Sequence, residues 1–308
     1  DDLREDDNEL CSRFFWRRMY GEHPYGRPAG GTEESIRAIR RQDLVMFHRA
    51  AFVRDNVFYG ASGDFDRGAM ERWFEGLAAR MSSDPAPPAV DLPDPPRPAG
   101  RRVLLVDKPE RTQAQVLVGH PAVRWGEADD YPLRVAVTAF GGTFTSPLMT
   151  EVRVKRGLSY GASAQLAHGR GRGHMQGWVF PASAQVIETL GIVLDLWKRL
   201  GEGDVPDEQV AFAKAYLCGR FPLSVETPER RLSLRAGLEV CGLAPDYLES
   251  YTARIAAVSP AEVRAVARRY VTATDLHVTL VATADEIEPA LERATALRLY
   301  GIEVVPYD

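Results

Sequence analysis

Two segments of this 308-residue chain repeat each other at an offset of 219 residues. In both, a helix-like apolar pattern leads into a short apolar segment and then into a second helix-like pattern. Residues of similar character coincide along the alignment: Ile36 with Ile255, Ile39 with Val258, Asp43 with Glu262, Leu44 with Val263, Ala51 with Tyr270, Val57 with Leu276 and Tyr59 with Val278. Self-similarity at a fixed period is typical of duplicated units. The chain is therefore predicted to contain two copies of one fold, the alternative being a chance match of amphipathic patterns.

The two copies differ in length. The second begins near Arg101, and its opening part, residues 101–218, has no counterpart in the first, because on the same offset that counterpart would precede residue 1. The segment "NVFYGASGD", which starts at Asn56, is predicted to be a buried strand. A buried strand without neighbours leaves its backbone N–H and C=O groups unsatisfied. We therefore expect an N-terminally truncated first copy, with the absent strands supplied by a missing segment or a partner chain.

A proline-rich stretch separates the copies. Seven prolines fall within residues 84–100, which excludes a helix or a central strand and is typical of an extended linker. The predicted organisation is thus the C-terminal half of a first domain (1–83), the linker (84–100) and a complete second domain (101–308).

The second domain mixes strand and helix patterns. Strands are predicted at "RRVLLVDKP", "TQAQVLVGH" and "DLHVTLVATAD", with a hairpin formed by "LSYGASAQLAH" and "GHMQGWVFPA". A helix is predicted around residues 129–140, four more between about residues 184 and 270, and a closing helix at "EIEPALERATALRLYG". Because strands and helices do not alternate strictly, the predicted class is α+β, a sheet packed with helices.

Composition and charge exclude several functions. The net charge of −5 provides no basic field for nucleic acid, and no apolar run approaches the roughly 18 residues of a membrane span. Three cysteines are too few for a disulfide framework or a zinc knuckle. A soluble protein is expected, in the cytoplasm or the periplasm, and abundant Arg, Ala, Gly and Pro suggest a GC-rich bacterial genome.

The stretch "GGTFTSPLMTEVRVKRGLSY", residues 141–160, carries the most distinctive pattern. It lacks the Gly-Lys-Ser/Thr of a phosphate loop, although an anion- or nucleotide-binding module around Gly141 stays open as an alternative. Gly141 and Gly142 are predicted to end one helix and turn the backbone tightly into the next. Gly157 is predicted to end that second helix, after a last turn rich in cations.

The residues on either side of Gly157 have two interpretations. Arg153 lies in the last turn of the predicted helix, and Tyr160 is expected to share one face of the following strand with Leu158, Ala162 and Ala164. From spacing alone, Tyr160 is either a core aromatic or a binding residue, and Arg153 is either a surface cation or a ligand for a substrate.

No complete metal or nucleophile site is visible. The six histidines form neither His-Glu-x-x-His nor His-x-x-Glu-His, and no Gly-x-Ser-x-Gly elbow occurs. His168 and His174 flank "GRGRG" and are predicted to lie in a solvated loop. No catalytic residue and no metal ligand is therefore assigned to this chain alone.

Two stretches resemble one known family. "HPYGRPAGGTEESIRAI" with "DLVMFHRAAFVRDNVFYGASGDFD" is similar to the latter half of the first domain of pitrilysin/insulinase-type zinc metallopeptidases, which include the mitochondrial processing peptidase subunits. "FGGTFTSPLMTEVRVKRGLSYGASA" is similar to the signature of their second domain. In that family a His-x-x-Glu-His helix of the first domain and a more distal glutamate hold zinc. The chain starts after the place of that helix, and the glutamate would fall at or just before Asp1, with Glu5 the only nearby candidate.

The resemblance also implies a function. The family's second domain supplies an arginine and a tyrosine seven residues apart, which reach the substrate and the reacting carbonyl, and Arg153 and Tyr160 match that pattern. The chain is then the non-zinc portion or subunit of a zinc metalloendopeptidase, inactive alone and binding no cofactor itself. Its expected partners are a zinc-bearing segment or subunit, as in a heterodimer, and a peptide or unfolded protein substrate. The alternative is a catalytically inactive scaffold or peptide-binding protein of the same fold.

Overall fold

A mixed six-stranded sheet organises the computed structural model, which describes residues 5–307. Its order is β3-β4-β2-β5-β1-β6, so that β5 lies near the centre, parallel to β1 and antiparallel to β2. All seven residues of β5 are buried. The strands are β1 (Arg101–Asp107), β2 (Gln115–Arg124), β3 (Ser159–Ala167), β4 (Arg172–Pro181), β5 (Leu276–Ala282) and β6 (Leu299–Pro306).

Helices pack on this sheet and confirm the α+β class. The main core lies between one face of the sheet and the helices of the second half of the chain, and includes Leu133, Trp197 and Ile255. Within the described residues the helices are α1 (Asp7–Tyr20), α2 (Glu33–Ala38), α3 (Arg41–Ala51), α4 (Arg67–Ala79), α5 (Asp130–Gly141), α6 (Pro147–Met149), α7 (Val186–Gly201), α8 (Asp207–Ser224), α9 (Pro228–Val240), α10 (Tyr247–Ala257), α11 (Pro260–Tyr270) and α12 (Ala284–Arg293).

Helix α1 covers the opposite face of the sheet, an element that the sequence analysis did not predict. Asp6 caps its N-terminus by accepting hydrogen bonds from the backbone N–H groups of Asn8 and Glu9. A second core joins it to β1, β2 and β5, and consists of Leu10, Cys11, Phe15, Met19, Tyr20, Leu104, Val106, Leu117 and Val281. A helix near the N-terminus thus buries the central strands of the 101–308 region from their second side.

Residues 24–79 are packed far more loosely. None of the helical residues in α2, α3 or α4 is buried, and Val53 is the one fully buried apolar side chain between them. The prediction of a buried strand at "NVFYGASGD" is wrong. Residues 57–63 pair with no strand among the described residues, and Phe58 is exposed, because no neighbouring strand offers hydrogen bonds. The domain boundaries at 83 and 100 stay a prediction.

Two further differences concern the second half of the chain. Five helices, not four, lie between residues 186 and 270. The predicted closing helix ends at Arg293, and β6 follows it after Arg298, whose φ of 48° turns the chain back to the sheet.

Within residues 5–307 no helix is both long and apolar enough to cross a membrane.

Candidate functional site

The candidate site lies at one edge of the sheet, where β3 begins. Helix α5 passes so close behind β3 that a Cβ atom added at Gly141 would lie 2.6 Å from the Ala164 Cβ atom and 2.8 Å from its backbone nitrogen. A Cβ atom at Gly142 would lie 2.7 Å from the Thr138 Cα atom. Gly141 therefore permits the close packing of α5 against β3, whereas Gly142 lies against the preceding turn of α5 itself and caps the end of that helix.

The segment between α5 and β3 is a short helix with an irregular end. Ser146 caps α6, and residues 150–154 continue it as a π-helical turn, a form found often at functional sites. Gly157 adopts a φ of 64°, and its N–H donates to the Arg153 carbonyl at 3.0 Å. This left-handed residue reverses the chain, so that the helix end and the start of β3 lie side by side.

The reversal brings Arg153 and Tyr160 together. The Cζ atom of the Arg153 guanidinium lies 4.6 Å from the centre of the Tyr160 ring and 5.1 Å from that of the Phe144 ring. Both distances are those of cation–π contacts. Among residues 5–307, no acceptor hydrogen-bonds the Arg153 side chain, which leaves the N–H donors of the guanidinium for a ligand.

Neighbouring cations on the same turn are engaged differently. Lys155 donates to the Glu151 carboxylate at 2.6 Å, and Arg156 pairs with the same carboxylate and donates to the Glu151 carbonyl at 3.0 Å. Hydrogen bonds from Arg156 and Lys155 hold the pKa of Glu151 below its usual value. Of the three cations on this turn, Arg153 alone has no acidic partner within the described part of the chain.

Tyr160 points away from the core, contrary to the prediction that it shares a face with its neighbours. Leu158, Ala162 and Ala164 are buried, whereas Tyr160 is 80% exposed. The register between β3 and β4 shifts between Ser159 and Ala162, and such a bulge rotates the residue it contains. A core role for Tyr160 is thereby excluded, and its hydroxyl has no hydrogen-bond partner among residues 5–307.

Phe144 is the site residue that the sequence analysis missed. It lies between the double glycine and α6, and 60% of its surface is exposed although it is a large apolar residue. No periodic pattern includes it, so the one signal available was a phenylalanine in a polar turn beside two glycines.

The prediction of a solvated loop is wrong for His168. Its Nε2 atom lies 2.6 Å from the carboxylate of Asp130, which is completely buried and is also hydrogen-bonded by Arg134. Burial opposes ionisation of Asp130, but the hydrogen bond from His168 and the charge of Arg134 outweigh it, so the pKa of this carboxyl is lowered. The network joins α5 to the end of β3.

His174 is also internal, in β4. Its Nδ1 atom lies 2.9 Å from the Tyr20 hydroxyl and its Nε2 atom 2.8 Å from the Gln176 side-chain oxygen. Burial lowers the pKa of His174 to about 4. Both imidazoles are thus occupied by different partners and do not form a shared metal site.

The described residues do not fit a zinc ion. No group of three or more His, Cys, Asp or Glu side chains in residues 5–307 is arranged to hold a metal. Glu5 is exposed, and Asp1 lies outside the described residues. Ligands for the zinc that the family resemblance implies are not found in this part of the chain.

Relatives and solved structures resemble the chain over most of its length. An uncharacterized zinc protease of Streptomyces coelicolor is 28% identical over 86% of the chain, and a protein of Helicobacter pylori named a non-peptidase homolog is 22% identical over 86%. The chain spans about 60% of each relative's length, 59% and 61% respectively.

Solved structures share the fold of this chain. The crystal structure of a peptidase M16 inactive domain from Pseudomonas fluorescens superimposes with a TM-score of 0.79, covering 91% of this chain and 66% of that one at 22% identity. The peptidase M16 inactive domain matches residues 38–217, more than half of the chain and including Arg153 and Tyr160. The chain belongs to the family of peptidase M16 inactive domains.

Proposed function

We propose that this chain is the non-zinc portion of a zinc metalloendopeptidase and that Arg153 and Tyr160 bind the peptide substrate. The observation that carries the proposal is a half-buried Arg153 guanidinium beside an exposed Tyr160 phenol, neither of which has a hydrogen-bond acceptor among the described residues. Both are donors suited to a peptide carbonyl, and to the negative charge that develops on its oxygen during hydrolysis.

The edge of the sheet supports the same function. Tyr160 lies in β3, the terminal strand of the sheet within residues 5–307, so one side of this strand has free backbone donors and acceptors. An extended peptide can add to such an edge through main-chain hydrogen bonds, which tolerate varied side chains. Arg153 would then meet the peptide at the point where β3 begins.

The second part of the proposal is that another segment or subunit supplies the strands that the first copy lacks. The bounds of α3 and α11 differ by 219 residues at both ends, and residues 57–63 correspond to β5 on that offset. Because β5 is held between β1 and β2, we infer that residues 57–63 lie between two strands of a zinc-bearing segment or subunit.

The exposed apolar surface of residues 36–73 also supports contact with another segment or subunit. Large exposed apolar side chains concentrate here, and contiguous patches of this kind mark interaction surfaces. They are Ile36, Ile39, Leu44, Met46, Phe47, Phe52, Phe58, Phe65 and Trp73.

Turnover by the assembled enzyme tests the substrate-binding role. Arg153→Ala should lower kcat/KM by about a hundredfold or more, since one lost oxyanion donor costs about 2.7–4 kcal/mol. Arg156→Ala is the matched control, because Arg156 is close by but paired with Glu151, and it should leave turnover unchanged. The complex is purified from its host through a tag on this chain, and its size is checked by gel filtration. If Arg153→Ala keeps the same kcat/KM as Arg156→Ala and the unchanged enzyme, the role of Arg153 is refuted.

A catalytically inactive scaffold is the second candidate, favoured by the name of the Helicobacter pylori relative. Native mass spectrometry of the complex, with bound metal counted, separates the two. A particle that contains one zinc and cleaves peptides supports the peptidase. An assembled particle that binds peptide without zinc or cleavage supports the scaffold.

A further inference from the structure

The Arg153 guanidinium contacts two aromatic rings, one of which belongs to neither the predicted pair nor the core. Phe144 contributes that ring from the turn between α5 and α6, 5.1 Å from the Arg153 Cζ atom. The Tyr160 ring lies 4.6 Å from the same atom. Phe144 is 60% exposed, so most of its surface is available to a ligand.

We propose that Phe144 positions Arg153 and gives the site a preference for peptides with a bulky apolar side chain, an inference that rests on the proposed function. The positioning step follows from the contacts. A free arginine side chain samples many rotamers, and ordering it costs conformational entropy. Because no acceptor among residues 5–307 fixes the Arg153 guanidinium, its ring contacts restrict it before a peptide arrives.

The preference follows from exposure. An aromatic ring at the surface gains stability when an apolar side chain covers it, and aromatic contacts add an attraction of their own. A peptide whose carbonyl is bound by Arg153 would carry its neighbouring side chains past Phe144, within about 5 Å of the guanidinium. A leucine there can cover the ring, whereas a glycine cannot. The substrate class is therefore peptides with a large apolar residue beside the bound carbonyl.

Val154 provides a matched control. It is next to Arg153 in the sequence and 61% exposed, almost the same fraction as Phe144, but it has no ring for the guanidinium. Val154→Ala thus removes exposed apolar surface from the same turn and leaves the cation–π contacts intact. A loss specific to Phe144 cannot then be a general effect of trimming this surface.

The test measures binding of two labelled peptides that differ only in leucine against glycine, by fluorescence anisotropy, on the assembled complex in EDTA so that neither is cleaved. Phe144→Ala should weaken both peptides about two- to fivefold through the lost cation–π contact, and should abolish the preference for the leucine peptide. Phe144→Tyr should restore both properties. Phe144→Leu should keep the preference for the leucine peptide but should still weaken both peptides, because leucine has no ring for the cation–π contact.

Two outcomes overturn different statements. If Phe144→Ala behaves like Val154→Ala while Arg153→Ala weakens binding of both peptides, the inference about Phe144 is wrong and the proposed function stands. If Arg153→Ala binds both peptides as tightly as the unchanged protein, the proposed function fails, and this inference fails with it. In the double variant Phe144→Ala/Arg153→Ala, the common loss should not exceed that of Arg153→Ala, because positioning acts only through Arg153.

Discussion

Gly141→Ala tests how the strand that carries Tyr160 is held in place. The added Cβ atom would lie 2.6 Å from the Ala164 Cβ atom, 2.8 Å from its nitrogen and 3.1 Å from the Leu148 Cδ2 atom. Non-bonded carbon atoms normally approach to about 3.5–4.0 Å. Either α5 or β3 must therefore shift by nearly 1 Å, and β3 is restrained by its pairing with β4.

Two opposing effects determine the size of the change. Alanine is favoured over glycine in a helix by up to about 1 kcal/mol, whereas overpacking a close contact costs about 1–3 kcal/mol. Because one of the contacts is with backbone, which cannot rotate away as a side chain does, the cost lies toward the upper end. We expect Gly141→Ala to lower the free energy of unfolding by about 1–2 kcal/mol.

Gly219→Ala is the control. Gly219 lies within α8, and a Cβ atom there would meet nothing within 4 Å, so only the helix preference acts. It should raise the free energy of unfolding by about 0.5–1 kcal/mol. Urea unfolding followed by circular dichroism gives both values. If the two variants shift stability in the same direction, the close approach of α5 and β3 does not require glycine at position 141.

Two further predictions concern buried ionisable groups. Asp130→Ala leaves the Arg134 guanidinium without its carboxylate in the interior and should cost about 3–5 kcal/mol in urea unfolding, so that a loss below 1 kcal/mol would contradict a structural role for the pair. For His120, burial lowers the pKa from 6.5 to about 4, so the unfolded chain binds a proton first and stability is lost as the pH falls from 6.5 toward 4. His120→Phe should therefore reduce the loss of unfolding free energy between pH 7 and pH 4 by about 3 kcal/mol, and an equal loss in both proteins would show that His120 does not titrate in this way.

Local patterns predicted most of the sheet but not its exceptions. Alternation and buried runs located β1 to β5, because each of these strands has an apolar face that its neighbours cover. Tyr160 was placed on the wrong face, since a bulge shifts the register without any mark in the sequence. The predicted closing helix runs into the first three residues of β6, and the rest of this strand was not predicted, because its residues are mostly exposed and show little alternation.

The pairing of Arg153 and Tyr160 was implied by the family resemblance, because spacing alone left a core tyrosine and a surface arginine open. Their approach to 4.6 Å depends on the left-handed turn at Gly157 and on the bulge in β3. Phe144 could not be found in this way, because its role comes from a contact across a turn. Helix α1 has a sequence signal that the analysis did not use, with Asp6 as its cap and Cys11, Phe15 and Met19 on one side.

The predicted 219-residue offset pairs residues 57–63 with β5, yet only β5 is a strand, because a strand exists through hydrogen bonds to its neighbours. A helix forms its hydrogen bonds within itself, and α3 and α11, which are related by the same offset, are both helices. The candidate site lies on β3, which pairs with β4 of this chain, so the geometry of Arg153 and Tyr160 does not depend on the zinc-bearing segment that we propose. Under the proposed function, the substrate-binding side is preformed and the zinc-bearing side is what assembly adds.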